Sequence, residues 1–257
     1  MAADDWSTAS TGTGPGVITP DGCAVDFYTL VPPGPEPAIV HAAAGCPRAS
    51  ILELGAGTGR IADVLAGMGH EVVAVDESPE MLGRIRWADR VCARIQDLDL
   101  GRRFDLVLLP SFLVNAASET IRSAFLASCA RHASPSGCVL IQQHPPAWFD
   151  AVTAAERQQA GIIFRLRDIT RPESGLVSAT AEYQASDRVW THTFTAQRLD
   201  EEQLQASLSS AGLVLDRYLT DDSQWIRAVP GSRADGRASN ESGPLPASTI
   251  PVTGTAR

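Results

Sequence analysis

Not one lysine occurs in the 257 residues: all 21 basic side chains are arginine, against 30 Asp and Glu, for a formal net charge of -9. That balance excludes nucleic acid as an expected partner, because such binding depends on a basic surface that releases counterions. Beside abundant alanine, the missing lysine reads as the coding bias of a GC-rich genome and carries no information about fold. No apolar run approaches the length of a bilayer span, and Met1-Ala2-Ala3-Asp4-Asp5 lacks the basic and apolar blocks of a signal peptide. The expectation is a cytoplasmic protein with no membrane partner. The five cysteines, Cys23, Cys46, Cys92, Cys129 and Cys138, show no C-x-x-C spacing. They read as small core residues in a reducing compartment, with no zinc site. A hydrophobic content of 44% is ordinary for a chain with one substantial core.

What is present is concentrated in Ile51-Leu52-Glu53-Leu54-Gly55-Ala56-Gly57-Thr58-Gly59-Arg60, an apolar strand running into a glycine-dense turn. A helical run, Ile61 to Ala66, follows it. Where a parallel strand hands over to a helix, α/β folds bind nucleotides. Dinucleotide binders read G-x-G-x-x-G, but here the third glycine follows two positions after the second, and Arg60 stands where that fingerprint wants glycine. A second strand, Glu71 to Val75, ends in Asp76, about twenty residues beyond the first glycine, where an acid can accept from both hydroxyls of a ribose. Ser78 then caps a helix with Pro79 in its first turn and Met81, Leu82 and Ile85 as its buried stripe.

The pattern Glu53-Leu54-Gly55-Ala56-Gly57-Thr58-Gly59 resembles the E/D-x-G-x-G-x-G motif of class I S-adenosylmethionine-dependent methyltransferases, and the chain is similar to that family over about Ile51 to His144. The resemblance implies a Rossmann-like α/β fold, with a seven-stranded, mostly parallel sheet flanked by helices. It implies S-adenosyl-L-methionine as cofactor, held by Glu53, Gly55, Ala56, Gly57, Gly59 and Asp76. The family places an acid after strand three on the adenine amino group and an apolar residue over the ring; Asp97 and Leu98 match by position. A fourth strand, Phe104 to Leu109, leads into Pro110-Ser111-Phe112, which looks like the family's fourth motif.

The rest of the chain is organised around this segment. Residues 1–20, rich in Gly, Ser and Thr, read as a flexible segment, with Trp6 an unexpected aromatic in it. Residues 21–229 read as the methyltransferase domain. Ser118 to Ile121 opens a helix that Ser134-Pro135-Ser136-Gly137 stops, and Cys138 to Gln143 is a fifth strand. From Pro145 to Arg198 apolar and polar residues alternate, which predicts an antiparallel β insertion before the last helix. Asp200 with Gln203 forms a capping box for that helix. Leu213 to Leu219 and Gln224 to Val229 predict a closing hairpin, and 230–257 reads as a disordered tail.

Methyl transfer from a sulfonium needs mainly a close, collinear acceptor and a route for the acceptor's proton. His144, at the carboxyl end of strand five, is the candidate base or acceptor-orienting group, and Tyr28 a candidate donor to the acceptor or to the cofactor's carboxylate. His192, between Trp190 and Phe194, is a rival that reads more readily as packing, and Arg60 reads as a solvated surface residue. Pro110 to Asn115 offers no carboxylates for magnesium, so no metal is expected. The aromatics Phe27, Tyr28, Phe112, Trp148 and Phe149 point to a small, aromatic, natural-product type of acceptor, with oxygen, nitrogen and carbon all open. A second copy could cover the edges of the β insertion. Two other classes stand beside this reading: a catalytically silent cofactor-binding subunit, which would need no base, and a nucleotide-dependent oxidoreductase, which the glycine spacing disfavours.

Overall fold

Apolar runs without alternation belong in strands covered on both faces, whereas alternating runs belong in sheets with one wet face. The chain sorts itself on that rule in a computed structural model that describes residues 10–231. It begins with β1 (Thr11–Thr13), α1 (Val25–Leu30) and α2 (Glu36–Ala44), followed by β2 (Ser50–Leu54), α3 (Ala62–Gly67), β3 (Glu71–Asp76), α4 (Pro79–Leu82) and β4 (Asp89–Cys92). Then come β5 (Phe104–Leu109), α5 (Glu119–His132), β6 (Ala133–Gln142), α6 (Pro146–Ala151), β7 (Ala155–Gln159), β8 (Ile162–Thr170), β9 (Leu176–Ala185) and β10 (Arg188–Gln197). The described chain closes with α7 (Glu201–Ser210), β11 (Leu213–Tyr218) and β12 (Trp225–Pro230).

Seven strands form one sheet in the order β11-β12-β6-β5-β2-β3-β4, parallel from β6 to β4, with the antiparallel β11–β12 hairpin at one edge. The strand order reverses between β2 and β5, and the carboxyl ends of these neighbours frame the crevice where such sheets take ligands. Successive residues of β2 serve opposite cores: Leu52 and Leu54 pack with Val107, Phe125 and Leu208 on one side, and Ile51 with Val40, Leu65 and Leu108 on the other. Caps fix where the helices begin. Ser78 Oγ accepts from Met81 N at 3.1 Å, and Asp200 Oδ1 accepts from Gln203 N at 2.8 Å while Gln203 Oε1 accepts from Asp200 N at 3.0 Å.

The remaining five strands form a second, antiparallel sheet in the order β1-β10-β9-β8-β7. The expected β insertion is present, with α6 and then β7 to β10 inside the expected bounds. It also recruits β1, which pairs Thr11 with Thr193 and Thr13 with Thr191. The reading of residues 1–20 as flexible is corrected from residue 10 onward. Low hydrophobicity is no obstacle to a strand when its backbone completes an existing edge and glycines permit the approach: a Cβ on Gly12 would lie 1.9 Å from Gly22 O. Trp6 and the tail from residue 232 lie outside the described residues.

Two other boundaries move. The third strand, expected over Arg90 to Ile95, stops at Cys92, and Ile95–Asp97 is a single 3-10 turn. Ser134 to Gly137 does not end α5 in a turn; it is the start of β6, bulged against β5. Gly137 fits there because a Cβ would meet Asp105 O at 2.7 Å. The cysteines are not all core residues either: Cys129 and Cys138 are buried, Cys23 is partly buried, and Cys46 and Cys92 are exposed.

Candidate functional site

The glycine turn leaves β2 by hooking over its neighbour, with Gly55 N and Ala56 N both donating to Val75 O at 2.9 Å. Gly55, Gly57 and Gly59 all have positive φ, at 72°, 55° and 81°. Their surroundings differ. A Cβ on Gly55 would lie 2.8 Å from Leu113 Cδ1 and one on Gly59 would lie 2.8 Å from Ile85 Cγ1, whereas one on Gly57 would meet nothing within 4 Å. Packing accounts for the outer two glycines. Gly57 alone faces open space, as a turn that receives a ligand does.

Asp76 closes this turn from the end of β3. Its Oδ2 accepts from Gly57 N at 2.8 Å and its Oδ1 from Ser78 N at 2.9 Å. Each oxygen keeps a lone pair for a further donor. Burial pushes its carboxyl above the usual value; the Ser78 and Gly57 N–H groups oppose the shift, and the nearby Asp21 carboxylate adds to it. Glu53 sits behind the turn, 1% exposed, with Oε2 unpaired. Burial raises its carboxyl to about 8, against the pull of Arg60 and a hydrogen bond from Ala62 N. Arg60 is not a free surface residue, for its guanidinium meets Glu36 Oε1 at 2.8 Å.

Beyond β4 the Asp97 side chain is 70% exposed, and Leu98 lies in the core with Ile95 and Leu126. Ile95 reaches the glycines, with Cδ1 3.8 Å from a Cβ built on Gly55. Across the crevice, buried Pro110 ends β5, and the two residues after it are both left-handed: Ser111 at φ 59° and Phe112 at φ 62°. Consecutive non-glycine residues in that region cost of order 1–2 kcal/mol each and persist only where surrounding contacts fix them. Here Ser111 N donates to Gln142 Oε1 at 2.8 Å, and the Phe112 ring lies flat on the His144 imidazole with centroids 4.0 Å apart.

His144 is stacked on its other face by Trp148 at 4.1 Å, and its backbone N–H is held by Asn115 Oδ1 at 2.8 Å. Burial lowers its pKa to about 4, so the ring is neutral at pH 7. Asn115, 2% exposed, also donates from Nδ2 to Gln197 O at 2.9 Å and ties this strand end to β10. Tyr28 approaches from α1, whose carbonyl end is pinned to the turn by Thr58 Oγ1 donating to Tyr28 O at 3.1 Å. Its phenol shares hydrogen bonds with Cys23 and Tyr183, and burial raises its pKa well above the ordinary value, so it stays protonated. Phe27 points away into the second sheet, stacked on Tyr183 at 3.9 Å.

That sheet roofs the crevice. The face of β10 that carries Trp190, His192, Phe194 and Ala196 meets, in turn, Phe27, Asp21, His144 and Ala116. Sequence reasoning missed Asp21, Cys23, Tyr183 and Asn115. Pro20-Asp21-Gly22 did carry a legible turn signal, but nothing in the sequence says that the turn lies over β10.

Residues 51–137 match a family described as a methyltransferase domain. The chain is 30% identical over 178 residues to the cypemycin N-terminal methyltransferase of Streptomyces sp, a match that takes in 66% of this chain. It spans 63% of the length of that curated relative. Among solved structures, the CcbJ methyltransferase from Streptomyces caelestis superposes with a TM-score of 0.67 at 21% identity, over 81% of this chain and 96% of that one. An amino pentose methyltransferase from Micromonospora echinaspora, solved with S-adenosylmethionine bound, gives 0.60 at 17% identity over 82% and 93%. The fold is the Rossmann-like fold of these enzymes.

Proposed function

We propose that this chain, whose residues 51–137 form a methyltransferase domain, transfers a methyl group from S-adenosyl-L-methionine to a small organic acceptor of the natural-product type. The observation that carries the reading is Gly57, which opens onto free space with its N–H fixed on Asp76. The site fits the cofactor on chemical grounds. The Asp76 oxygens suit two ribose hydroxyls, and such donors would relieve the desolvation that raises its carboxyl. Glu53 is sealed behind the turn and shapes it through Ala62 N. Asp97 and Leu98, which follow β4, are the candidates for the adenine amino group and ring, with Ile95 beside Gly55, and Pro110 borders the crevice at the end of β5.

When bound, the cofactor supplies a methyl group on a cationic sulfur, which needs little activation. The chain's own task is to hold and orient the acceptor. His144, neutral and wedged between two rings, presents a lone pair to orient an acceptor; with a conjugate acid near 4 it is a poor lasting home for a proton. Tyr28 is a fixed phenol donor. The strand end Pro110-Ser111-Phe112 supplies no carboxylate for a cation, which supports transfer without a metal.

Titration calorimetry with S-adenosylhomocysteine, paired with transfer of labelled methyl from the cofactor to aromatic amines, phenols and indoles, tests this reading. Binding with turnover on one of these classes is expected. Binding without turnover would favour a silent cofactor-binding subunit, and absence of binding would remove the reading altogether.

A further inference from the structure

On the inward face of β10, Trp190 and Ala196 are sealed at 0% and 4% exposure, yet His192 and Phe194 between them are partly exposed. A sheet face covered at both ends and wet in the middle spans a gap. The residues paired with His192 and Phe194 are Ala181 and Ala179, small side chains that are themselves buried at 8% and 1% exposure. One side of the gap is aromatic: Phe112, His144 and Trp148 stand as a stack, with Phe194 nearly parallel to His144 at 6.4 Å.

The other side is negative. Asp21 is placed there by His192 Nε2, which donates to Asp21 O at 3.2 Å, and by Thr19 and Cys23, whose side chains donate to its two carboxylate oxygens. Its charge acts on Asp76, Cys23, Tyr28 and His192 alike. Neither Asp21 nor Asp76 makes an ion pair among the described residues.

We infer that this gap is the acceptor chamber and that Asp21 selects within it an amine-bearing acceptor, held as its ammonium by the carboxylate with its apolar body against Phe112, His144 and Phe194. The inference rests on the methyltransferase reading and narrows it to acceptors that carry a cationic nitrogen. A charge-assisted contact in a partly dehydrated site favours the ammonium, and aromatic faces favour its carbon skeleton; before transfer the ammonium passes one proton to the Asp21 carboxylate, and the freed lone pair then forms the N–CH3 bond as the S–CH3 bond breaks, leaving S-adenosylhomocysteine. A neutral alcohol of the same shape leaves the charge of the carboxylate without a counter-charge. Tyr28 and Cys23 act as positioning residues here, because their hydrogen bonds hold the segment that bears Asp21.

The test uses the full chain saturated with S-adenosylhomocysteine and two probes of equal shape, phenethylamine and 2-phenylethanol, titrated by calorimetry. The amine is expected to bind about ten-fold or more tightly than the alcohol, and that preference should vanish in Asp21→Asn while S-adenosylhomocysteine still binds. In Phe194→Ala, which removes part of the aromatic wall, both probes should lose affinity together. Equal affinity of the two probes for the unaltered chain, binding of neither, or a preference that survives in Asp21→Asn would overturn the assignment. Failure of S-adenosylhomocysteine itself to bind would instead strike the methyltransferase reading.

Discussion

Asp76 and His144 are each placed by backbone contacts and by burial, and each converts into a measurement. Removing the Asp76 carboxylate deletes two acceptors at the ribose side and also frees Gly57 N and Ser78 N. Asp76→Ala should therefore weaken S-adenosylhomocysteine by on the order of 1.5 to 3 kcal/mol in calorimetry; an unchanged affinity would displace Asp76 from the site. His144 is held at about 4 from its ordinary 6.5. The folded chain refuses a proton that the unfolded chain accepts, so stability is lost as pH falls from 6.5 towards 4. Urea melts of the unaltered protein should lose roughly 1 to 2 kcal/mol between pH 7 and pH 5 that His144→Phe, which keeps a ring in the stack, retains. Equal losses in both proteins would place the titration elsewhere.

At the scale of elements, the glycine turn makes the sharpest forecast, because its three glycines answer to different neighbours. Gly57→Val should abolish cofactor binding and leave a folded protein, destabilised only by about 1 to 2 kcal/mol for the left-handed backbone. Gly55→Val and Gly59→Val should also lower the melting temperature markedly, since each Cβ runs into Leu113 or Ile85 at 2.8 Å. Scanning calorimetry separates the two behaviours, and identical melting losses at all three positions would refute the distinction. The same turn shows what was legible in the sequence. Local chemistry, a strand, three glycines, an acid, a capped helix, was written in consecutive residues and appears at β2, β3 and α4. Register after a short edge strand was not. β4 contributes four residues before the chain coils into a 3-10 turn, and Ile95 in that turn packs beside Gly55. The helix does stop ahead of Ser134, at His132, but Ser134 to Gly137 then bulge between the Phe104–Ala133 and Leu106–Cys138 pairings and do not form a free turn.

The whole molecule joins a sheet of seven strands to a roof of five, and its candidate acceptor space belongs to neither alone. Non-local placement is what the sequence could not express: Asp21 with Tyr28, His144 and Phe194 come from three segments that no spacing relates. The fastening of the N-terminal segment is correspondingly demanding. Gly12→Val, facing Gly22 O at 1.9 Å, should unseat β1 and the 19–28 segment. Limited proteolysis should then cut ahead of α1, while the strands of the large sheet keep their hydrogen-exchange protection; unchanged proteolysis would show that the crossing is dispensable. The pairing of Thr11 with Thr193 also sets a timetable. The first described strand cannot dock until β10 has been synthesised some 180 residues later, and Trp225 completes the edge of β6 later still. Long-range pairings of this kind are slow to close. A nascent or refolding chain therefore acquires its glycine turn early and its competence to enclose an acceptor last, and cofactor affinity should mature in refolding before any amine preference does.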